Sequence, residues 1–128
     1  MVRVYYEDTD VGGIVYYANY LKFFERARTE WLRELGIVQS TFLEQNFAFV
    51  VRHVEMDNIA SAKLDDQLTV QSHIKQLKRA SLIFEQHIVD QQERLIATAT
   101  IKVAAINNKQ GKPCAIPQII LGALPRVS

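Results

Sequence analysis

The apolar positions between residues 18 and 35 repeat with the period of an α-helix. They follow the i, i+3, i+4 spacing of one helix face at Leu21, Phe24, Arg28, Trp31, Leu32 and Leu35. Asn19 has the side chain of a good N-cap, and Gly36 is suited to the left-handed residue that ends many helices. The pattern therefore predicts one long helix, which would run about 27 Å at 1.5 Å per residue.

Beyond Gly36 the period falls to two, which is typical of half-buried strands. We predict strands at residues 47–56, 67–76, 81–89 and 95–106, and a short one at residues 2–6 before the helix. In the last three of the long strands, the residues expected to share one face are Leu68, Val70, Ser72 and Ile74, then Leu82, Phe84, Gln86 and Ile88, then Ala97, Ala99, Ile101, Val103 and Ala105. Short polar turns at residues 78–80 and 90–92 indicate an antiparallel meander. The expected fold class is α+β, with the helix against one sheet face.

Length and charge limit the function classes. A chain of 128 residues fits one domain, residues 1–128, with a core that needs no disulfide or metal. Fifteen basic and fourteen acidic residues leave a net charge of +1, which favours neither nucleic acid nor an anionic membrane surface as a partner. The single cysteine, Cys114, and the absence of a signal peptide or a long apolar run favour a cytoplasmic protein.

The densest group of chemically useful residues precedes the helix. Glu7, Asp8 and Asp10 lie within four residues, and Gly12 and Gly13 follow. A carboxylate on a turn at a helix start can act as a base or nucleophile, and the free backbone N–H groups of the first helical turn can stabilise an oxyanion. Asp is also common as a turn or cap residue, so the pattern alone leaves a structural role open. A metal site is not expected, because no histidine or distant acid completes a ligand set.

Several motifs resemble one known family. They are VRVYYEDTD at residues 2–10, GGIVYYANY at 12–20 and FFERARTEWL at 23–32, with weaker matches at FAFVV (47–51), AKLDD (62–66) and GKP (111–113). Together they resemble the 4-hydroxybenzoyl-CoA thioesterase family, and within it the YbgC-type acyl-CoA thioesterases associated with the Tol-Pal envelope system. The resemblance implies the hotdog fold, in which a curved antiparallel sheet of about five strands wraps one long central helix.

The resemblance also assigns roles in thioester hydrolysis. Asp10 matches the catalytic carboxylate, which acts as general base or as nucleophile, and the backbone N–H of Tyr17 matches the donor to the thioester carbonyl. Gly13 would let the backbone approach the substrate without a Cβ in the way. Glu25 falls where a relative places an acid facing the acyl group, although it could equally be a surface partner of Arg28. Some relatives carry histidine in place of Tyr17, so the carboxylate here is expected to act without that assistance.

The same resemblance implies substrate and assembly. Lys78 and Arg79 are candidates to bind the phosphates of CoA, with solvated surface residues as the alternative. The expected substrate is an acyl-CoA, with an acyl carrier protein as another possible thioester carrier, and no cofactor is required. Two chains are expected to join their sheets edge to edge, with dimers pairing into a homotetramer. Two alternatives stay open: a non-catalytic module that binds acyl-CoA or acyl carrier protein, and a dehydratase or hydratase, which generally needs an active-site histidine.

Overall fold

The computed structural model describes residues 1–125 of the chain; residues 126–128, the end of the predicted domain, lie outside the described residues. These residues form six strands, three helices and one 3-10 turn. The strands are β1 (Val2–Arg3), β2 (Phe47–Asn58), β3 (Gln67–Leu77), β4 (Ser81–Val89), β5 (Leu95–Asn107) and β6 (Lys112–Pro113). The helices are α1 (Asn19–Glu34), α2 (Gln39–Glu44) and α3 (Gln118–Ala123), and the 3-10 turn is Tyr6–Asp8.

The strands form one curved antiparallel sheet in the order β1-β3-β4-β5-β2, with β6 paired to β5. Short turns join β3 to β4 and β4 to β5, as in the predicted meander, whereas β2 and β1 lie at the two edges of the path. The pairing of β2 with β5 is interrupted by a bulge between Val51 and His53. Within residues 1–125, the twelve residues of β2 pair on one side only, with β5, which leaves their other edge free.

Helix α1 is held against the sheet by its apolar side and by one polar contact. Tyr20, Phe23, Phe24 and Leu32 are buried, and the indole of Trp31 packs edge-on against Phe84 of β4 with ring centroids 5.5 Å apart. The Nε2 of Gln86, also on β4, donates to the carbonyl of Phe24 at 3.0 Å. These contacts fix the rotation of α1, and with it the direction in which its first turn faces.

Most of the predicted elements are confirmed. The α+β layout, the four long strands and the alternation of their inward residues agree with the structure to within two residues at each strand end. The short elements α2, α3 and β6 were not predicted, because two to six residues are too few to show a period. Within the described residues, no helix is long and apolar enough to cross a membrane.

Three details of the prediction are wrong. Leu21 is exposed rather than buried, since Tyr20 and Phe23 take the place facing the core. Asn19 is the first helical residue and Ala18 the N-cap; the Asn19 side chain instead donates to the carbonyl of Asp8 at 3.0 Å. The first strand ends at Arg3, because the Asp8 carboxylate accepts the N–H of Tyr5 and turns the chain into the 3-10 segment.

The end of α1 is the Schellman motif that Gly36 predicts. The N–H of Ile37 donates to the carbonyl of Leu32 and the N–H of Gly36 to that of Arg33, both at 2.9 Å. Gly36 has a φ of +85°, a backbone conformation that is unfavourable for any residue with a Cβ. No atom lies within 4 Å of the position that such a Cβ would take.

We expect Gly36→Ala to lower the free energy of unfolding by about 1 kcal/mol, because the cost is conformational only. Urea unfolding followed by circular dichroism measures it. Gly122→Ala in α3 is the matched control, since that glycine has no positive φ and the same open surroundings, so it should be neutral or stabilising. Equal effects of the two substitutions would contradict the explanation.

Candidate active site

Asp10 lies at the start of a tight loop before α1. Its N–H donates to the carbonyl of Ile14 and its own carbonyl accepts the N–H of Gly13, both at 3.0 Å. One carboxylate oxygen, Oδ1, accepts the N–H of Gly12 at 2.9 Å. The turn depends on Gly13, whose φ is +75°. The loop therefore holds the carboxylate by one oxygen, and within residues 1–125 the other oxygen, Oδ2, accepts no hydrogen bond.

The Asp10 loop is attached to the segment before β3. The N–H of Val15 donates to the carbonyl of Ala62 at 2.8 Å, and the N–H of Leu64 donates to the carbonyl of Gly13 at 3.0 Å. The N–H of Ala62 in turn donates to the phenol oxygen of Tyr20 at 3.1 Å. Tyr20 is 2% exposed, and burial raises the pKa of its hydroxyl, so this oxygen stays protonated and neutral.

Tyr17 precedes the first turn of α1, where backbone N–H groups lack helical partners. Its carbonyl accepts the N–H of Tyr20 at 3.2 Å, as the helix begins. Its own N–H donates no hydrogen bond to any group in residues 1–125. This free donor lies at the positive end of the helix dipole, which favours a developing negative charge nearby.

Asp10 and Tyr17 border one open cleft of about 220 Å³. Its other lining residues include Ile14, Tyr20, Asn58 and Ala60. Asp10 is exposed, and Tyr16 and Tyr17 remain about half exposed with ring centroids 5.0 Å apart. The cleft therefore brings together a residue with an unbonded carboxylate oxygen and a residue with an unbonded N–H, the kinds of group that can attack a carbonyl and stabilise an oxyanion.

The other predicted site residues fall in three places. Gly13 forms the Asp10 loop itself. Glu25 is exposed and lines a second groove, two turns farther along α1, where its charge acts on Arg28 without an ion pair within 4.0 Å in the described residues. Lys78 and Arg79 are exposed on the turn after β3, roughly 33 Å along that strand from its start beside the Asp10 loop. One subunit therefore does not bring them to the cleft.

The sequence reasoning missed three contributors to the cleft, Asn58, Ala60 and Ser61. Asn58 ends β2, and Ala60 and Ser61 follow it; all three are positioned by the pairing of β2 with β5, so no local pattern marks them. Tyr20 is both a buried core residue and part of the cleft lining. Within the described part of the chain, no three His, Cys, Asp or Glu side chains are grouped so that they could hold a metal ion.

The chain is similar to known thioesterases over nearly its whole length. The family model described as the thioesterase-like superfamily matches residues 4–124. The acyl-CoA thioesterase YbgC of Haemophilus influenzae is 48% identical over 123 residues, which cover 95% of this chain and 90% of that protein.

Solved structures share the fold. The crystal structure of a probable thioesterase from Bartonella henselae is 40% identical with a TM-score of 0.84, covering 91% of this chain and 95% of that one. A gentisyl-coenzyme A thioesterase is 31% identical with a TM-score of 0.88, covering 97% of both chains. The hotdog fold and the YbgC-type resemblance are thus confirmed. The chain belongs to the thioesterase-like superfamily.

Proposed function

We propose that this protein hydrolyses acyl-CoA thioesters to a free acid and CoA. Asp10 acts as general base or nucleophile, and the backbone N–H of Tyr17 stabilises the oxyanion. The observation that carries the proposal is that Asp10 and Tyr17 border one cleft, and that in residues 1–125 one oxygen of Asp10 and the N–H of Tyr17 have no hydrogen-bond partner. The relatives named as acyl-CoA thioesterases support it.

The chemistry needs few groups. As a nucleophile, Asp10 adds to the thioester carbonyl carbon and expels the CoA thiolate, and water then hydrolyses the mixed anhydride. As a general base, it takes a proton from the water that attacks. In both cases negative charge develops on the carbonyl oxygen, and a thiolate leaves without a strong general acid. The single hydrogen bond to Oδ1 leaves Oδ2 free for either role.

We further propose that two subunits complete the cleft by pairing their β2 edges. A free edge of twelve residues is prone to pair with another strand, and Val51 and Val54 are 50% and 39% exposed on it. In the full assembly, expected to be a homotetramer, Lys78 and Arg79 of another subunit would bind the CoA phosphates or an acyl carrier protein. A cytoplasmic enzyme is part of the same proposal, since Cys114 is a free thiol.

Replacing Asp10 by Asn should lower kcat by about 10²–10⁴-fold, because the amide keeps an oxygen for the Gly12 N–H but neither abstracts a proton nor attacks well. Steady-state release of free CoA from acyl-CoA measures it. Glu7→Gln, an exposed acid three residues earlier, is the matched control and should retain wild-type rates. An unchanged rate in Asp10→Asn would refute the mechanism, and acyl-CoA binding without any CoA release by the wild type would favour a non-catalytic module.

The oxyanion role belongs to the backbone of Tyr17, not to its side chain. An ester in place of the amide between Tyr16 and Tyr17, made by semisynthesis, removes the N–H and should lower kcat by about 10²–10³-fold. Tyr17→Phe keeps the N–H and should change kcat by less than about threefold. The reverse order of effects would assign the role to the phenol.

The assembly proposal predicts that Val54→Glu separates the subunits and lowers kcat/KM by about tenfold or more, since two glutamates would meet across the paired edges. Light scattering after size-exclusion chromatography reports the mass. Gln110→Glu, on the exposed turn after β5, adds the same charge away from the β2 edge and should leave mass and activity unchanged. A fully active monomeric variant would overturn the shared site.

A further inference from the structure

A second cavity, the α1–β2 groove, is lined by residues that neighbour those of the Asp10 cleft along α1 and β2. It has a volume of about 500 Å³. It is lined from the helix by Leu21, Arg28 and Leu32, and from the sheet by Val51, Val54 and Phe84. Leu21 lies one turn after Tyr17 on α1, and Val54 lies four residues before Asn58 on β2. An acyl group held at Tyr17 would therefore continue into this groove.

Two charged side chains line this mostly apolar groove, exposed Glu25 at its surface and buried Arg28. Arg28 is 8% exposed, and its Nη1 donates to Oε1 of Gln86 at 3.0 Å. Gln86 is fully buried, and its own Nε2 is held by the carbonyl of Phe24 and by Oγ of Ser72 at 2.9 Å. Gln86 is thus fixed from three sides, and it aims its oxygen at the guanidinium.

The remaining donors of Arg28 face open space. In residues 1–125, Gln86 is the one acceptor for its side chain, and no carboxylate oxygen lies within 4.0 Å of it. No side-chain nitrogen in that part of the chain is both fully buried and without a partner. The other guanidinium nitrogens of Arg28 therefore border the groove. Burial lowers the pKa of Arg28, and the charge of exposed Glu25 raises it by less.

A buried guanidinium with unused donors discriminates between ligands. A methyl-ended acyl chain would remove water from these donors without replacing its hydrogen bonds, which costs free energy. A carboxylate would form charge-assisted bonds with the planar fork of the arginine. The methyl-ended chain is therefore disfavoured beside Arg28, whereas the carboxylate-ended chain is favoured. The end group of the acyl chain thus decides how well it binds in the groove.

We propose that Arg28 selects acyl groups that carry a carboxylate at their far end, so that the substrates are CoA thioesters of dicarboxylic acids. This inference rests on the proposed function. Arg28 is eleven residues after Tyr17, about 16 Å along the helix axis, and its side chain leans back toward the helix start. The matching acyl group is therefore of medium length, longer than a malonyl or succinyl group.

The test compares CoA thioesters in pairs of equal carbon number, one ending in methyl and one in carboxylate, from six to twelve carbons. At the best length, wild-type kcat/KM should favour the carboxylate by about ten- to a hundredfold. Arg28→Met should abolish that preference, while Glu25→Gln, which removes a like charge, should increase it. A wild type that prefers the methyl end at every length, or an unchanged preference in Arg28→Met, overturns the proposal.

Two further variants separate recognition from effects on folding. Arg28→Met alone leaves Oε1 of Gln86 without a donor, so the double variant Arg28→Met with Gln86→Leu removes both partners. Arg28→Lys keeps the positive charge but loses the planar guanidinium. The lysine variant should retain part of the preference. Calorimetric binding of each thioester pair to Asp10→Asn tests the recognition without turnover. Tighter binding of the carboxylate-ended thioester supports the role of Arg28 even if no hydrolysis is found, and equal binding refutes it.

Discussion

The geometry of the site depends on one peptide group, that of Ala62. Its N–H donates to the buried phenol of Tyr20 on α1, and its carbonyl accepts the N–H of Val15 at the end of the Asp10 loop. The helix that supplies the Tyr17 N–H and the loop that supplies Asp10 are therefore fixed to the same third segment. A shift of that segment would move the carboxylate relative to the oxyanion donor, and small displacements of this kind cost large factors in rate.

The free edge of β2 imposes a second constraint. The inner side of this strand borders the α1–β2 groove, and its residues lead into the segment that lines the Asp10 cleft. Apolar residues around the cleft, Val11 and Ile14 among them, are exposed in the single subunit. Under the proposed pairing, a second copy would cover the β2 edge, and excluding water from the cleft would strengthen the electrostatic contribution of the Tyr17 N–H. Assembly and catalysis would then be coupled.

Local patterns in the sequence were sufficient for the fold but not for the connections within the site. The helix and the four long strands follow from their periods, and Gly36 from its place after the last helical turn. The bond from Ala62 to Tyr20 joins residues 42 apart, and that from Arg28 to Gln86 joins residues 58 apart. The alternation of residues in β4 places Gln86 on the same face as its apolar neighbours. Its hydrogen-bond partners on α1 cannot be read from the sequence, because they depend on how α1 packs against β4. The separation of Lys78 from Asp10 is likewise set by the length of β3, which no motif records.

The burial of Arg28 without a carboxylate partner in residues 1–125 needs a physical reason. A guanidinium removed from water without a carboxylate partner destabilises a fold by several kcal/mol, and an apolar side chain of similar volume would pack there at less cost. Two further hydrogen bonds, from Nε2 of Gln86 to the carbonyl of Phe24 and to Oγ of Ser72, hold the Gln86 oxygen that accepts from Arg28. Because Tyr17 lies two residues before α1 and Arg28 lies on it, the fixed rise per residue of the helix largely sets the distance between them. Under the proposal, one rigid helix therefore positions both ends of a bound acyl group, so that chain length and end group would be recognised together.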